Sequence, residues 1–408
     1  MHLKSIELIN SPISTNNLRL VGEVIYDDTA HSDTYWFDIP KKYKDDISNT
    51  GNLWLACLIP LAVTLNEPLK ICRPVDIKLL ENMNKLMLIW KNWYPKLNPI
   101  QIECDKINSP NNTLSLKTAA FFSGGVDSFF TILHNNIRSN HEARFGIEDL
   151  LTVCGFDIPL KNSKAFIRLK EKYEEIAFEF GYNFVDFITN IRETRWKVAE
   201  WGYLSHGCAL ASIALTLEKR YENVLIPASY SSPNFFPWGS HPVTDPLFST
   251  SNTKFIHDGH KFNRIEKTKF VAGNEIALNS MRVCWQSFSD YNCSSCSKCY
   301  RTMITLDLLG KLKDCRAFTL NQLNATRIKK IFITDEHDIC FFQEIKAFAL
   351  KIKRLDIVYA IEESLKNSQN LNKRLAFAKR LSKWLAKKRF VWRWSDYPKK
   401  LLLKGSII

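Results

Sequence analysis

Six consecutive residues, Ser123-Gly124-Gly125-Val126-Asp127-Ser128, combine hydroxyls, a freely turning backbone and one carboxylate. Adjacent glycines let backbone N–H groups approach an anion closely, and Ser123 and Ser128 add hydroxyl donors. Asp127 would repel a phosphate, so it fits as an acceptor that orients the loop or as a Mg2+ ligand. Such a loop cradles a phosphate group and stabilises it as it leaves. The bland alternative is a glycine turn that merely starts a helix. A second group is Cys284, Cys293, Cys296 and Cys299, spaced C-x8-C-x2-C-x2-C. Four thiolates so close in sequence suit a tetrahedral Zn2+ with no open position. An iron–sulfur cluster, a redox dithiol, a sulfur-transfer cysteine and unconnected thiols are the other readings of the same spacing.

These groups need elements to position them. Thr118 to Phe122 reads as a short apolar strand ending at the glycines, and Phe129 to Leu133 as the helix behind them, its positive end aimed at the loop. Strands at Leu150–Phe156, Asn183–Ile188 and Asn223–Ala228 alternate with helices at Lys164–Phe180 and Val198–Leu217. That alternation predicts an α/β fold with a doubly wound parallel sheet. Ahead of it, residues 1–110 read as an N-terminal α+β domain. Leu18–Tyr26 and Thr34–Ile39 form a hairpin there, a helix spans Val75–Trp93, and Leu53–Val63 is a buried helix or strand pair. A polar linker follows at Asp105–Asn112. Residues 117–310 then hold both chemical groups, and 311–408 form a helical, basic C-terminal region.

The chain has 408 residues, 45% hydrophobic and 24% charged, with a formal charge of +14. From Leu371 onward twelve Lys and Arg face one acid, Asp396, so basicity belongs to the C-terminus. Leu371, Leu375, Ala378 and Leu385 fall on one helical face there and Lys373, Arg380, Lys383 and Lys387 on the other, with Trp384, Trp392, Arg393 and Trp394 nearby. Such a segment could bind nucleic acid, an acidic partner or a membrane surface, or simply pack as a helix with a solvated basic face. The longest apolar run, Leu53 to Val63, contains Pro60 and is too short to span a membrane. No signal peptide is evident, and scattered cysteines with one tight cluster fit a reducing cytoplasm.

The Ser123–Ser128 string resembles the PP-loop of the ATP pyrophosphatase superfamily, and it lacks the Gly-Lys-Ser/Thr of a Walker loop. Combined with the four-cysteine spacing, it is similar to the 7-cyano-7-deazaguanine synthase family over roughly residues 117–310. His206 to Leu215 resembles the family's nucleotide-side helix, although the Arg and Asn of the preceding Gly-Arg-Asn are missing. Ile265 to Val271 resembles Leu-Thr-Lys-Ala-Glu-Ile-Val, which makes Lys267 the cation beside the phosphates. The resemblance implies a PP-loop, HUP-like fold. It further implies an ATP site formed by Ser123, Gly124, Gly125, Val126, Asp127, Ser128, Asp157, Gly207 and Lys267, with Asp127 and Lys267 catalytic and Mg2+ and Zn2+ as cofactors. The implied reaction releases AMP and pyrophosphate while a carboxylate or carbonyl oxygen of a small molecule or protein is adenylated for attack by nitrogen. A nucleic-acid-modifying enzyme, or a component of an antiphage defence system, is the alternative.

In place of the family's Asp-Cys-Arg segment stands Ser232 to Pro246, containing Pro-Trp-Gly-Ser-His. His241 and Asp245 in this stretch could orient a substrate or move a proton, or could tie the loop together. His257-Asp258-Gly259-His260 is a second polar cluster, and His206 on its apolar helix reads as a packed residue.

Overall fold

The structure, a computed structural model, describes residues 1–28, 32–107, 116–136, 145–320, 322–333 and 338–387. Contacts divide the chain into one compact unit of residues 1–294 with 314–319, and a second of residues 295–313 with those from 320 onward.

The first unit is built on one sheet. Its N-terminal part contributes β1 (His2–Asn10), β2 (Asn17–Ile25), β3 (Ser32–Pro40), α1 (Asn52–Leu65), β4 (Leu69–Ile71), β5 (Val75–Asp76), α2 (Ile77–Trp93), β6 (Ile102–Glu103) and β7 (Lys106–Ile107). The central part adds β8 (Lys117–Phe121), α3 (Val126–His134), β9 (Ile147–Cys154), α4 (Ser163–Phe180), β10 (Asn183–Thr189), α5 (His206–Leu215), β11 (Tyr221–Pro227), β12 (Lys254–Asp258), α6 (Arg264–Val271) and α7 (Glu275–Ser280). Ten strands run in the order β12-β11-β8-β9-β10-β3-β2-β1-β4-β6, while β5 and β7 pair separately. From β12 to β10 every pairing is parallel, so the α/β expectation holds. β3, β2 and β1 form an antiparallel meander.

The boundary expected near residue 110 lies inside this first unit, because β3 pairs with β10 through Asp38–Ile188 and Phe37–Thr189. Side chains reinforce the seam: Thr189 Oγ1 donates to Trp36 O (2.7 Å), Trp36 N donates to Asn190 Oδ1 (2.9 Å), and Asn190 Nδ2 donates to Thr34 O (2.7 Å). The run from Leu53 is a helix, buried on all sides, and packs on α5. A helix apolar around its whole circumference belongs in the middle of a core. One core runs through both parts, from Leu3 and Trp54 to Val185 and Val224.

The helix expected from Val198 begins only at His206, after a 3-10 turn (Arg195–Val198) and a π turn (Trp201–Ser205). Gly202 O accepts from Gly239 N (2.9 Å) and Gly207 N donates to Gly239 O (2.9 Å), so contacts with a distant loop replace regular helical bonds. The second unit holds α8 (Ser297–Leu308), α9 (Ala325–Lys329), α10 (Ile339–Lys351) and α11 (Leu355–Lys387), the last three of which fall within the span 311–408. Leu371, Leu375 and Ala378 are half-buried and Lys373 is exposed. The side chains of Arg380, Lys383, Trp384, Leu385 and Lys387, and all of Trp392, Arg393 and Trp394, lie outside the described residues. No described helix is long and apolar enough to cross a membrane.

Candidate functional site

The order of the parallel strands reverses beside β8. The chain proceeds from β8 to β9 and β10 on one side, then returns to place β11 and β12 on the other. The crevice beyond the carboxyl ends of β8 and β11 is therefore a topological switch point, where open α/β sheets bind ligands. The Ser123–Ser128 loop leaves β8 there.

Its conformation is fixed from outside. Gly124 has φ +68°, in the left-handed region, and a Cβ would meet Tyr173 Oη at 2.3 Å. Tyr173 Oη donates to Ser123 O (2.5 Å) and Arg282 N donates to Gly124 O (2.7 Å), so the carbonyls point away to structural partners. Gly125 is the N-cap of α3, with its carbonyl taken by Phe129 N (2.9 Å) and Ser128 Oγ (3.1 Å). Among the described residues, the backbone N–H groups from Ser123 through Ser128 donate to no acceptor of the chain. Unused N–H groups at a glycine loop and helix start form an anion site.

Asp127 closes the other side. Arg264 Nη2 lies 2.9 Å from Asp127 Oδ2 and Lys267 Nζ 3.5 Å from Oδ1. Lys267 Nζ also donates to Ala228 O (2.6 Å), immediately beyond β11, so both sides of the switch point meet at this ammonium. Lys267 is almost wholly buried, and burial lowers its pKa against the opposing pull of Asp127. Arg264 is buried as well. Sequence reading missed it; the one legible signal is the Asn263–Glu266 capping box, which makes Arg264 the first residue of α6.

Other expected residues stand differently. Asp157 is exposed past β9, where its charge acts on Arg192, Tyr173 and His206. Gly207 already donates its N–H to Gly239 O, and a Cβ would lie 2.2 Å from that oxygen, so here the glycine serves close helix–loop packing. His206 is packed as expected, with Nδ1 2.9 Å from Trp201 O and its pKa lowered by burial. Asp245 is fully buried: Oδ1 accepts from His241 N (3.1 Å), and Oδ2 from Ser240 Oγ (2.7 Å) and His257 Nδ1 (2.7 Å). His241 Nδ1 accepts from Val243 N (3.1 Å), which leaves Nε2 to carry the proton. Its ring lines a cavity of about 340 Å3 with Trp93, Phe235, Phe236, Pro237 and Val243.

The four cysteines converge as their spacing implies. Their ligand atoms all lie within 4.8 Å of one another. Zn–S bonds of about 2.3 Å impose S···S separations near ~3.8 Å in a tetrahedron, so the donor set and its closeness fit a metal ion such as Zn2+. Burial opposes ionisation of Cys284, but hydrogen bonds from Ser287 and Cys293 outweigh it and bring the thiol below its ordinary pKa. Asn292, not anticipated from the sequence, shapes the loop: its Oδ1 accepts from Val283 N (2.8 Å) and Cys284 N (3.1 Å), and its Nδ2 donates to Met281 O (2.9 Å) and Ala317 O (2.8 Å).

Compared with protein-family models, with characterised proteins and with solved structures, the chain matches none of them.

Proposed function

We propose that this chain is an ATP-dependent ligase or synthase that cleaves the nucleotide between its α- and β-phosphates. The observation that carries the reading is the run of unused N–H groups from Ser123 through Ser128 at the sheet's switch point, faced by Asp127, Arg264 and Lys267. The N–H groups and the α3 N-terminus would hold the pyrophosphate portion. Arg264 and Lys267 would exchange the Asp127 carboxylate for phosphate oxygens, stabilising charge as the α–β bond breaks. Asp127, so released, would hold Mg2+, whose contribution is to neutralise charge on the leaving group. Cys284, Cys293, Cys296 and Cys299 would hold Zn2+, which supplies stability and not chemistry, since four thiolates leave no open position.

In the proposed reaction, a carboxylate or carbonyl oxygen of the acceptor attacks the α-phosphorus, and pyrophosphate departs with the α–β bridging oxygen. A nitrogen nucleophile then displaces AMP from the adenylate. Chromatography of products from α-labelled ATP tests this: AMP and pyrophosphate are expected, whereas ADP and phosphate as the sole products would overturn it.

A further inference from the structure

We infer that Arg282 supplies a fixed positive charge to the polyphosphate held by the glycine loop, an inference that rests on the proposed ATP site. Arg282 is 5% exposed. Its backbone N–H supports Gly124 O, and its Nε donates to Ser289 O (2.6 Å). Nη2 is buried and has no hydrogen-bond partner, and among the described residues no carboxylate forms an ion pair with the guanidinium. Asp290, which follows Ser289 in the chain, is gripped by Arg168 through two bonds of 3.0 and 2.7 Å.

The guanidinium stands beside the Tyr173 hydroxyl: burial raises the pKa of that hydroxyl, and the Arg282 charge opposes the rise. The same hydroxyl donates to Ser123 O and occupies the space where a Gly124 Cβ would stand. The charge therefore backs directly onto the Ser123-Gly124 segment. Lys172 on α4 joins it; burial lowers its pKa, Asp290 opposes this, and Arg282 adds to it.

A guanidinium taken out of water without a counter-ion is a costly feature. It lies against the glycine loop, whose N–H groups meet no acceptor among the described residues. Across the way, Arg264 and Lys267 share Asp127, so that side is partly neutralised. A polyphosphate would provide the counter-charge that Arg282 lacks, and in a poorly screened interior this attraction acts over several ångströms without direct contact. Arg282 thus acts through the loop it supports and is not itself a catalytic residue.

The test is calorimetric binding of inorganic pyrophosphate and of adenosine to the full, zinc-loaded chain, alongside thermal melts. Arg282→Met should bind pyrophosphate about tenfold or more weakly, bind adenosine unchanged, and melt without ligand no lower than the parent. Arg282→Lys should recover most of the affinity. Should the Met variant not fold, Arg282→Gln provides the neutral side chain. Unchanged pyrophosphate affinity in a folded neutral variant overturns the inference alone. A parallel loss of adenosine binding and a lowered melt would assign Arg282 a purely structural role and also overturn it. A parent chain that binds neither pyrophosphate nor ATP overturns the ATP site and this inference with it.

Discussion

The loops that follow β8 and β11 leave the ends of neighbouring strands, and both are rich in groups that could do chemistry. They use those groups in opposite ways. Beyond β11, Asp245 takes bonds from Ser240, His241 and His257, and the free nitrogen of His241 takes Val243 N–H. That loop satisfies itself. Beyond β8, the carbonyls of Ser123, Gly124 and Gly125 are bonded, yet among the described residues the N–H groups from Ser123 through Ser128 meet no acceptor. Ser123 is exposed and Gly125 half-buried, so these N–H groups stand open at the end of β8 and at the start of α3, where an anion could take them. Residue type alone does not separate the two loops; the destination of each hydrogen bond does.

The largest expected effect comes from cutting the self-satisfied knot. Asp245→Ala would leave two buried donors without an acceptor, His241 N–H and His257 Nδ1–H, together with the half-buried Ser240 Oγ–H. Each such group costs on the order of 1–3 kcal/mol, so a loss of roughly 3 kcal/mol or more is expected in a denaturant melt. Pyrophosphate affinity of the molecules that remain folded should not change. Loss of affinity without loss of stability would instead make Asp245 a ligand-binding residue.

A smaller effect is expected from pH. Burial lowers the pKa of Lys267 from the ordinary lysine value. Pyrophosphate binding needs the ammonium, so affinity should fall as pH rises through this lowered pKa, before an ordinary lysine would titrate. The stability of the unliganded chain runs the other way. Between the folded and the unfolded pKa the unfolded state binds more protons, so this residue's contribution rises with pH. Binding titrations from neutral to alkaline pH check the first sign; Lys267→Met should remove that limb, and a limb that persists in the variant assigns it elsewhere.

The glycine loop, its flanking strand and helix and the cysteine spacing were legible because their signals are local: two glycines, an apolar run, a short repeat of thiols. The alternation from β8 to β11 was legible for the same reason. What stayed hidden was long-range. The edge of β10 is covered by β3, which is more than a hundred residues earlier, so the N-terminal strands extend the central sheet. Arg264 became a partner of Asp127 only when α6 packed beside α3. Gly207 looked like a nucleotide contact by resemblance, but its N–H is used by Gly239, a pairing that depends on where a distant loop lands. The late start of α5 has the same origin.

The smallest structural change makes the sharpest test, because the two glycines differ. Gly124 sits at φ +68°, with Tyr173 Oη in the way of any Cβ. Alanine there should destabilise the fold by about 1–2 kcal/mol from backbone conformation alone, so lost binding would say nothing about anions. Gly125 is extended, at φ −80° and ψ 170°, and a Cβ would find its nearest neighbours at 3.5 and 3.7 Å, an ordinary contact. The unliganded fold can therefore accept Gly125→Ala with stability close to the parent, because a less flexible unfolded chain contributes up to about 1 kcal/mol and offsets the weaker N-cap that alanine makes. If the glycine is there so that phosphate oxygens can reach the bare backbone, the added methyl occupies that approach. Pyrophosphate affinity should then fall about tenfold, a difference near 1.4 kcal/mol, with no fall in the melting temperature. If the pair of glycines only turns the chain into α3, affinity and stability should both match the parent, and the contrast between the two loops would lose its functional meaning.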